Sequence, residues 1–238
     1  TLANVPGIVT EGAEWFRRLG TVASPGTIVC TIGGDVAREG VAEVALGTPL
    51  SALVEVFGGG VPGGAPKLVL NGASTGPLTA ADLDVPISWE GLEAAGSALG
   101  SAGFTVYDDS VCAVAVAVAV NAFLFRGSCG QCPPCKLGTA AIAEGFVSLA
   151  MGGDGDALDE IVAWAQRVTD ANRCGLGAGA RAFTTGLLRR FPEDVAHHLE
   201  GGTCPSERTV AVTTILDHDP QAGRFVHAEP VDSDRPGG

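Results

Sequence analysis

Three cysteines, Cys129, Cys132 and Cys135, lie in the run Ser128-Cys-Gly-Gln-Cys-Pro-Pro-Cys-Lys136, each separated from the next by two residues. Thiolates at that spacing can take three corners of an iron–sulfur cubane, because each two-residue spacer turns the backbone around the cluster. Gly130 between the first two lets the chain approach the inorganic sulfides. A fourth corner has to come from elsewhere, and Cys174, 39 residues beyond Cys135, is the candidate. The same spacing also occurs in zinc sites and redox dithiols. Zinc usually shows paired spacings twice or a histidine partner, and the second half offers a lone Cys174 with no histidine before His197. A dithiol needs two cysteines rather than three, and a two-cluster ferredoxin would continue to a further Cys-Pro where Lys136-Leu-Gly-Thr139 stands. The iron–sulfur reading leads, with zinc as the open alternative.

The remaining composition narrows the classes. The 238 residues, 46% of them hydrophobic, suffice for one large or two modest cores. Fourteen basic against 27 acidic residues leave a net charge of −13, which repels nucleic acid and anionic lipid. Seven cysteines, four of them assigned to metal, point to a reducing, cytoplasmic setting. No signal peptide opens the chain, Thr1 reads as a mid-protein start, and the longest apolar run, 111–125, is 15 residues against the roughly 20 of a membrane helix.

Elements that would carry the motif follow from patterning. Thr27–Ile32 reads as a strand ended by Gly33-Gly34, and Gly40–Val44 as its hairpin partner. Leu50, Leu53, Val54 and Phe57 have helical spacing, with Thr48 as N-cap and Pro49 at the first position. Gly58-Gly-Gly60 stops that helix, and Lys67–Leu70 is the next strand. Strand, strand, helix, strand is the order a β-grasp fold requires. The glycines of 58–64 precede a strand instead of a helix, so they read as a turn and not a phosphate cradle. The G-x-x-x-G at Gly96 and Gly100 likewise reads as turn geometry.

Beyond Cys112 the pattern becomes helical. The alternating Ala and Val of 113–120 lead into Asn121-Ala-Phe-Leu-Phe125 and read as a buried helix, since alanine is a weak strand former. Pro133-Pro134 suits a helix start, so a helix from about Pro134 to Ala150 begins on the cysteine loop. Its N-terminus would favour the more negative, reduced state of a cluster. Further helices are expected over Asp156–Val168, with Leu158, Ile161, Val162, Ala165 and Val168 on the apolar face, over Ala178–Arg190, burying Phe183, Leu187 and Leu188, and from Pro192. A bundle of four such helices returns Cys174 over the Cys129–Cys135 loop. Thr209–Leu216 and Arg224–Val226 can form strands, and the Asp-, Pro- and Gly-rich end reads as disordered.

With the elements in place, the chain resembles the FMN- and NADH-binding flavoprotein subunit of respiratory complex I and its relatives in NAD-linked hydrogenases and formate dehydrogenases. Thr1-Leu-Ala-Asn-Val-Pro6, Gly12-Ala-Glu-Trp-Phe16, Ser24-Pro-Gly-Thr27, Leu46-Gly-Thr-Pro-Leu50, Ala95-Gly-Ser-Ala-Leu-Gly100 and, most specifically, Ser128-Cys-Gly-Gln-Cys132 carry the likeness in order. The resemblance implies an α+β chain: the end of an FMN/NADH-binding domain over 1–16, a β-grasp, ubiquitin-like (soluble-ligand-binding) domain over 17–111, a helical [4Fe–4S] domain over 112–205 and a tail over 206–238. It implies Cys129, Cys132, Cys135 and Cys174 as cluster ligands. The family's cluster takes single electrons from reduced flavin and passes them to clusters of partner iron–sulfur subunits of the oxidoreductase complex. FMN and NADH would require the nucleotide-binding half, and Thr1 is at most a remnant of a flavin-contacting motif, so this chain alone is not expected to oxidise NADH. After the fourth cysteine the family has Ala-Leu-Gly and an acid, whereas Cys174-Gly-Leu-Gly-Ala178 lacks the acid.

The other cysteines read as structural: Cys30 in a strand and Cys112 in an apolar run as small hydrophobes, Cys204 in a loop as a reactive or partner-facing thiol in the minority case. His197-His198 near a helix C-terminus suits a mildly favourable charge more than a ligand role. The rival to electron transfer is a partner-binding or assembly module with a structural zinc or cluster and no redox role.

Overall fold

The structure, a computed structural model, describes residues 2–153, 155–202, 204–206 and 208–229. Thr1, with its flavin expectation, and 230–238, most of the stretch read as disordered, lie outside the described residues. The chain divides into two compact units, Thr1–Asp109 and Ser110–Gly238.

The first unit opens with short helices that patterning alone does not reveal, a 3-10 turn Leu2–Asn4, α1 (Val5–Glu11) and α2 (Ala13–Arg17). Strands β1 (Thr27–Gly34), β2 (Gly40–Ala45), β3 (Pro66–Asn71), β4 (Leu78–Thr79) and β5 (Gly103–Asp108) form one sheet in the order β2-β1-β5-β3-β4. β1 runs parallel to β5, and the other neighbours are antiparallel. Helices α3 (Leu50–Ala52), which continues as a π-helical turn Leu53–Phe57, and α4 (Trp89–Ala94) supply Leu50, Leu53, Val54 and Leu92 to a core shared with Cys30, Ile32, Leu78, Ile87, Leu99 and Phe104 of the sheet and its loops. Strand alternation decides which residues go in: Cys30 and Ile32 are buried while Val29 beside them is 57% exposed.

Two local expectations change, and one strand is new. β1 runs through Gly33 and Gly34 rather than ending there, because both pair with β5, and a Cβ on Gly34 would stand 2.2 Å from the Val106 carbonyl oxygen. Thr48 is not the N-cap of α3: Pro49 occupies that position, and the Thr48 hydroxyl donates to the Ala45 carbonyl oxygen at 2.7 Å. β5, the strand that joins the two halves of the sheet, had no assignment from patterning. The glycines of 58–64 do form turns, with positive φ at Gly59, Gly60 and Gly63, as do Gly96 and Gly100. There the Asn71 amide reaches the Leu99 carbonyl at 3.0 Å and closes the loop onto β3.

Five helices make up most of the second unit among its described residues: α5 (Ala113–Gly127), α6 (Pro133–Ala150), α7 (Gly155–Arg167), α8 (Leu176–Arg190) and α9 (Pro192–Leu199). The Ala/Val stretch is the buried start of α5, with Ala113, Val114, Val116, Ala117 and Val120 inside. α7 buries Ile161 and Ala165, and Val168 just past its end is also fully buried, but Val162 is 40% exposed and belongs to the outer face. On α8 Phe183 and Leu187 are buried and Leu188 is half-buried. Gly138 and Gly145, seven residues apart on α6, are where α7 and the turn after it come closest: a Cβ at Gly145 would meet Ile161 Cγ1 at 2.6 Å, and one at Gly138 would meet Val168 Cβ at 3.0 Å. After α9, β6 (Ile215–Asp219) pairs with β7 (Arg224–His227) in an exposed hairpin, so the strand expected from Thr209 begins six residues later. No helix among the described residues is long and apolar enough to cross a membrane.

Candidate iron–sulfur site

The cysteine loop occupies 128–132, between α5 and α6. Ser128 is the C-cap of α5, Gly130 takes φ +79°, and Cys132 is the N-cap of α6. Proline at the first two positions of α6 fits their preset φ and missing N–H. It also means that the first turn offers fewer amide donors than an ordinary helix start, which reduces the dipolar effect expected from sequence. Cys135 sits in that first turn, 6% exposed, with its Sγ 3.5 Å from Ser128 Oγ. Cys129 is exposed and Cys132 half-buried. The loop is held at its base by Lys136, whose Nζ donates to the Phe125 carbonyl at 3.3 Å and lies 4.1 Å over the Phe125 ring centroid. Thr139 Oγ1 donates to the Cys135 carbonyl at 2.8 Å.

Cys174 reaches this loop through its neighbour. The Arg173 amide donates to Cys132 Sγ at 3.4 Å, and its guanidinium donates to Gln131 Oε1 at 3.2 Å. Cys174 itself, exposed, directly precedes Gly175, the N-cap of α8. Gly177 in the first turn of α8 packs so tightly that a Cβ would stand 2.4 Å from the Val168 carbonyl oxygen and 2.0 Å from Asn172 Nδ2. That contact seats α8 on the end of α7, and Asn172 in turn donates to the Val168 carbonyl at 2.6 Å. Asn172 Oδ1 is buried with no partner among the described residues. Two helix starts, those of α6 and α8, therefore border the four cysteines, and the exposed Arg173 supplies a cation.

All four thiols are free, and no three of their sulfurs lie mutually within 4.8 Å. A single zinc ion with tetrahedral Zn–S bonds of about 2.3 Å would draw them to about 3.8 Å. Four free thiols carried on two helix starts are the donor set that a cluster takes.

The comparisons with known proteins bear on this same stretch. Residues 105–198 match the family described as the NADH-ubiquinone oxidoreductase-F iron–sulfur binding region. Over 207 residues the chain is 34% identical to the F subunit of the NADH-quinone oxidoreductase of Mycobacterium tuberculosis, covering 86% of this chain and 46% of that protein. The chain is a homologue of these F subunits. It carries their iron–sulfur binding region. It is equally 34% identical, over 217 residues, to HndC of the NADP-reducing hydrogenase of Solidesulfovibrio fructosivorans, covering 90% of this chain and 44% of that one. A solved NAD+-reducing [NiFe]-hydrogenase superposes with a TM-score of 0.74 at 29% identity, over 83% of this chain and 34% of the hydrogenase chain. The chain thus spans about half the length of the curated relatives it matches. The cluster-type cofactor and the family resemblance read from the cysteines are confirmed, and the mixed α/β character of the chain with them.

Sequence reasoning missed one group. Cys112 and His198, read as a core hydrophobe and a helix-end charge, lie beside Cys204. The signal available was three unassigned donors, two of them six residues apart at 198 and 204.

Proposed function

We propose that Cys129, Cys132, Cys135 and Cys174 ligate one [4Fe–4S] cluster and that the chain serves as the electron-relay part of an NADH:acceptor oxidoreductase. The observation that carries this is the Arg173 amide on Cys132 Sγ, which holds the segment ending in Cys174 against the three-cysteine loop. When bound, such a cluster accepts and releases one electron at a time. The chain's own contribution is to supply four thiolates from two helix starts. Arg173 and the amides at the start of α8 favour the more negative, reduced charge state.

Electrons would come from reduced FMN in a nucleotide-binding domain and leave to clusters of partner iron–sulfur subunits, a role supported by the names of the related complexes. The same reading makes 17–111 a β-grasp domain, supported by the order β2-β1-β5-β3-β4 with its parallel β1–β5 pair. It makes 112–205 a four-helix bundle domain, α6 to α9, with α5 as its buried lead-in. A reducing, cytoplasmic setting follows from the need to keep the thiolates free.

The test is iron, acid-labile sulfide, zinc and flavin content on anaerobically purified chain, with EPR after reduction. About four irons and four sulfides per chain with a reduced-state signal are expected. Zinc with four sulfurs and no sulfide would make the site structural and overturn electron transfer.

A further inference from the structure

Cys112, His198 and Cys204 lie apart from the cysteine loop, with their ligand atoms all within 4.8 Å of one another. Cys112 is the N-cap of α5 and 1% exposed, His198 in the last turn of α9 is fully buried, and Cys204 is half-buried in the segment after α9. Cys112 Sγ stands 3.3 Å from His198 Nε2. His198 Nδ1 is also buried and has no hydrogen-bond partner among the described residues. A fully buried imidazole whose Nε2 faces a thiol sulfur presents a nitrogen donor to the same space as two sulfurs. Asp194, one turn earlier on α9, accepts from the Ala113 amide at 2.5 Å, so the start of α5 and α9 are already fixed to each other without the thiols.

The donor set and spacing are those of a transition-metal site. Zn–S bonds of about 2.3 Å and Zn–N bonds of about 2.0–2.1 Å at a tetrahedral angle put sulfur and nitrogen about 3.5 Å apart and two sulfurs about 3.8 Å apart. The observed sulfur–nitrogen separation of 3.3 Å is close to the first of these values, and all three donor atoms lie within 4.8 Å of one another. Burial, with Cys204 alongside, pushes the Cys112 thiol up to about 11.

We propose that Cys112, His198 and Cys204 bind a zinc ion, distinct from the cluster site, with the fourth position taken by water. Binding replaces two S–H bonds by two Zn–S bonds, releases two protons and involves no electron transfer. The ion joins the start of α5, the end of α9 and the segment that follows. α5 has 15 residues, about 22 Å of helix, with Cys112 just before it and Cys129 just after, so the two centres sit at opposite ends of one helix. The proposal does not depend on what the cluster does.

The full chain, purified anaerobically, stripped with a mild chelator and titrated with zinc sulfate, would be assayed for zinc, iron and sulfide together and for its zinc-edge X-ray absorption. About one zinc per chain is expected, in a shell of two sulfurs and one imidazole nitrogen completed by oxygen. Cys204→Ala, chosen because its side chain is only half-buried, should lower zinc affinity at least about tenfold while leaving iron and sulfide unchanged. Wild-type chain that takes up no zinc overturns the proposal. So does zinc in an all-sulfur shell that persists in Cys204→Ala and disappears in Cys129→Ser, which would place it on the other motif. The iron and sulfide values report separately on the cluster reading.

Discussion

Arg173 touches the site in two separable ways, its amide on Cys132 Sγ and its guanidinium on Gln131 Oε1. Arg173→Gln keeps the first and removes the charge. An exposed unit charge at ~7 Å contributes about 0.5–1 kcal/mol, so the cluster's midpoint potential should fall by about 20–50 mV in a redox titration. The sign follows from charge: reduction makes the cluster more negative, and a lost cation disfavours it. Cys132→Ser tests the ligand set itself. Cys132 caps α6 without a side-chain hydrogen bond, and serine is the better capping residue, so the helix should not suffer. What should be lost is iron, sulfide and the reduced EPR signal. If cluster ligation contributes on the order of 10 kcal/mol, as structural metal sites do, the thermal transition of the helical unit should also drop sharply. A variant with full iron content and an unchanged spectrum would remove Cys132 from the ligand set.

At the scale of elements, the site depends on how closely α8 starts against α7. Gly177 has no room for a methyl group, because the obstacle is the Val168 backbone carbonyl. Gly177→Ala should destabilise the chain by about 1–3 kcal/mol despite the ~1 kcal/mol by which alanine is the better helix former, and should reduce iron retention with it. Gly175, two residues earlier, faces open space with φ −77°, so Gly175→Ala should leave the denaturation midpoint within about 0.5 kcal/mol of wild type. Equal effects from the two variants would refute the close-packing account. Much of this scale was visible in the order of residues: Pro133-Pro134 marked the start of α6, and apolar spacing marked α7 and α8. Val162 was misplaced because a helical repeat does not specify how wide the buried stripe is. The width depends on which neighbours cover it.

For the molecule as a whole, pH acts through at least one identifiable group. Glu90 in the first turn of α4 accepts hydrogen bonds from Ser24 Oγ at 2.6 Å and Thr21 Oγ1 at 2.5 Å, and these hold its carboxyl down to about 2. Since folding lowers this value, its stabilisation is complete above the usual carboxylate range and is lost as pH falls through about 2. The difference in denaturation midpoint between wild type and Glu90→Gln should therefore be constant above about pH 5 and shrink steadily below it. A difference that grows on acidification would contradict the assignment.

The cysteine loop was legible in the chain itself because its chemistry is local: three thiolates two residues apart need only one turn to converge, and their spacing names the cofactor class that the family match confirmed. The helices and the β1–β2 hairpin were legible for the same reason, since a repeat of two or 3.6 residues records which face is buried. Tertiary structure decided what depends on contacts between distant segments. β5 has no partner nearby in sequence and becomes a central strand only by pairing with β1 and β3. Thr48 could cap a helix, but the carbonyl of Ala45 took its hydroxyl. Cys112, His198 and Cys204 are separated by 86 and then six residues, and only the packing of α9 against the start of α5 makes them neighbours.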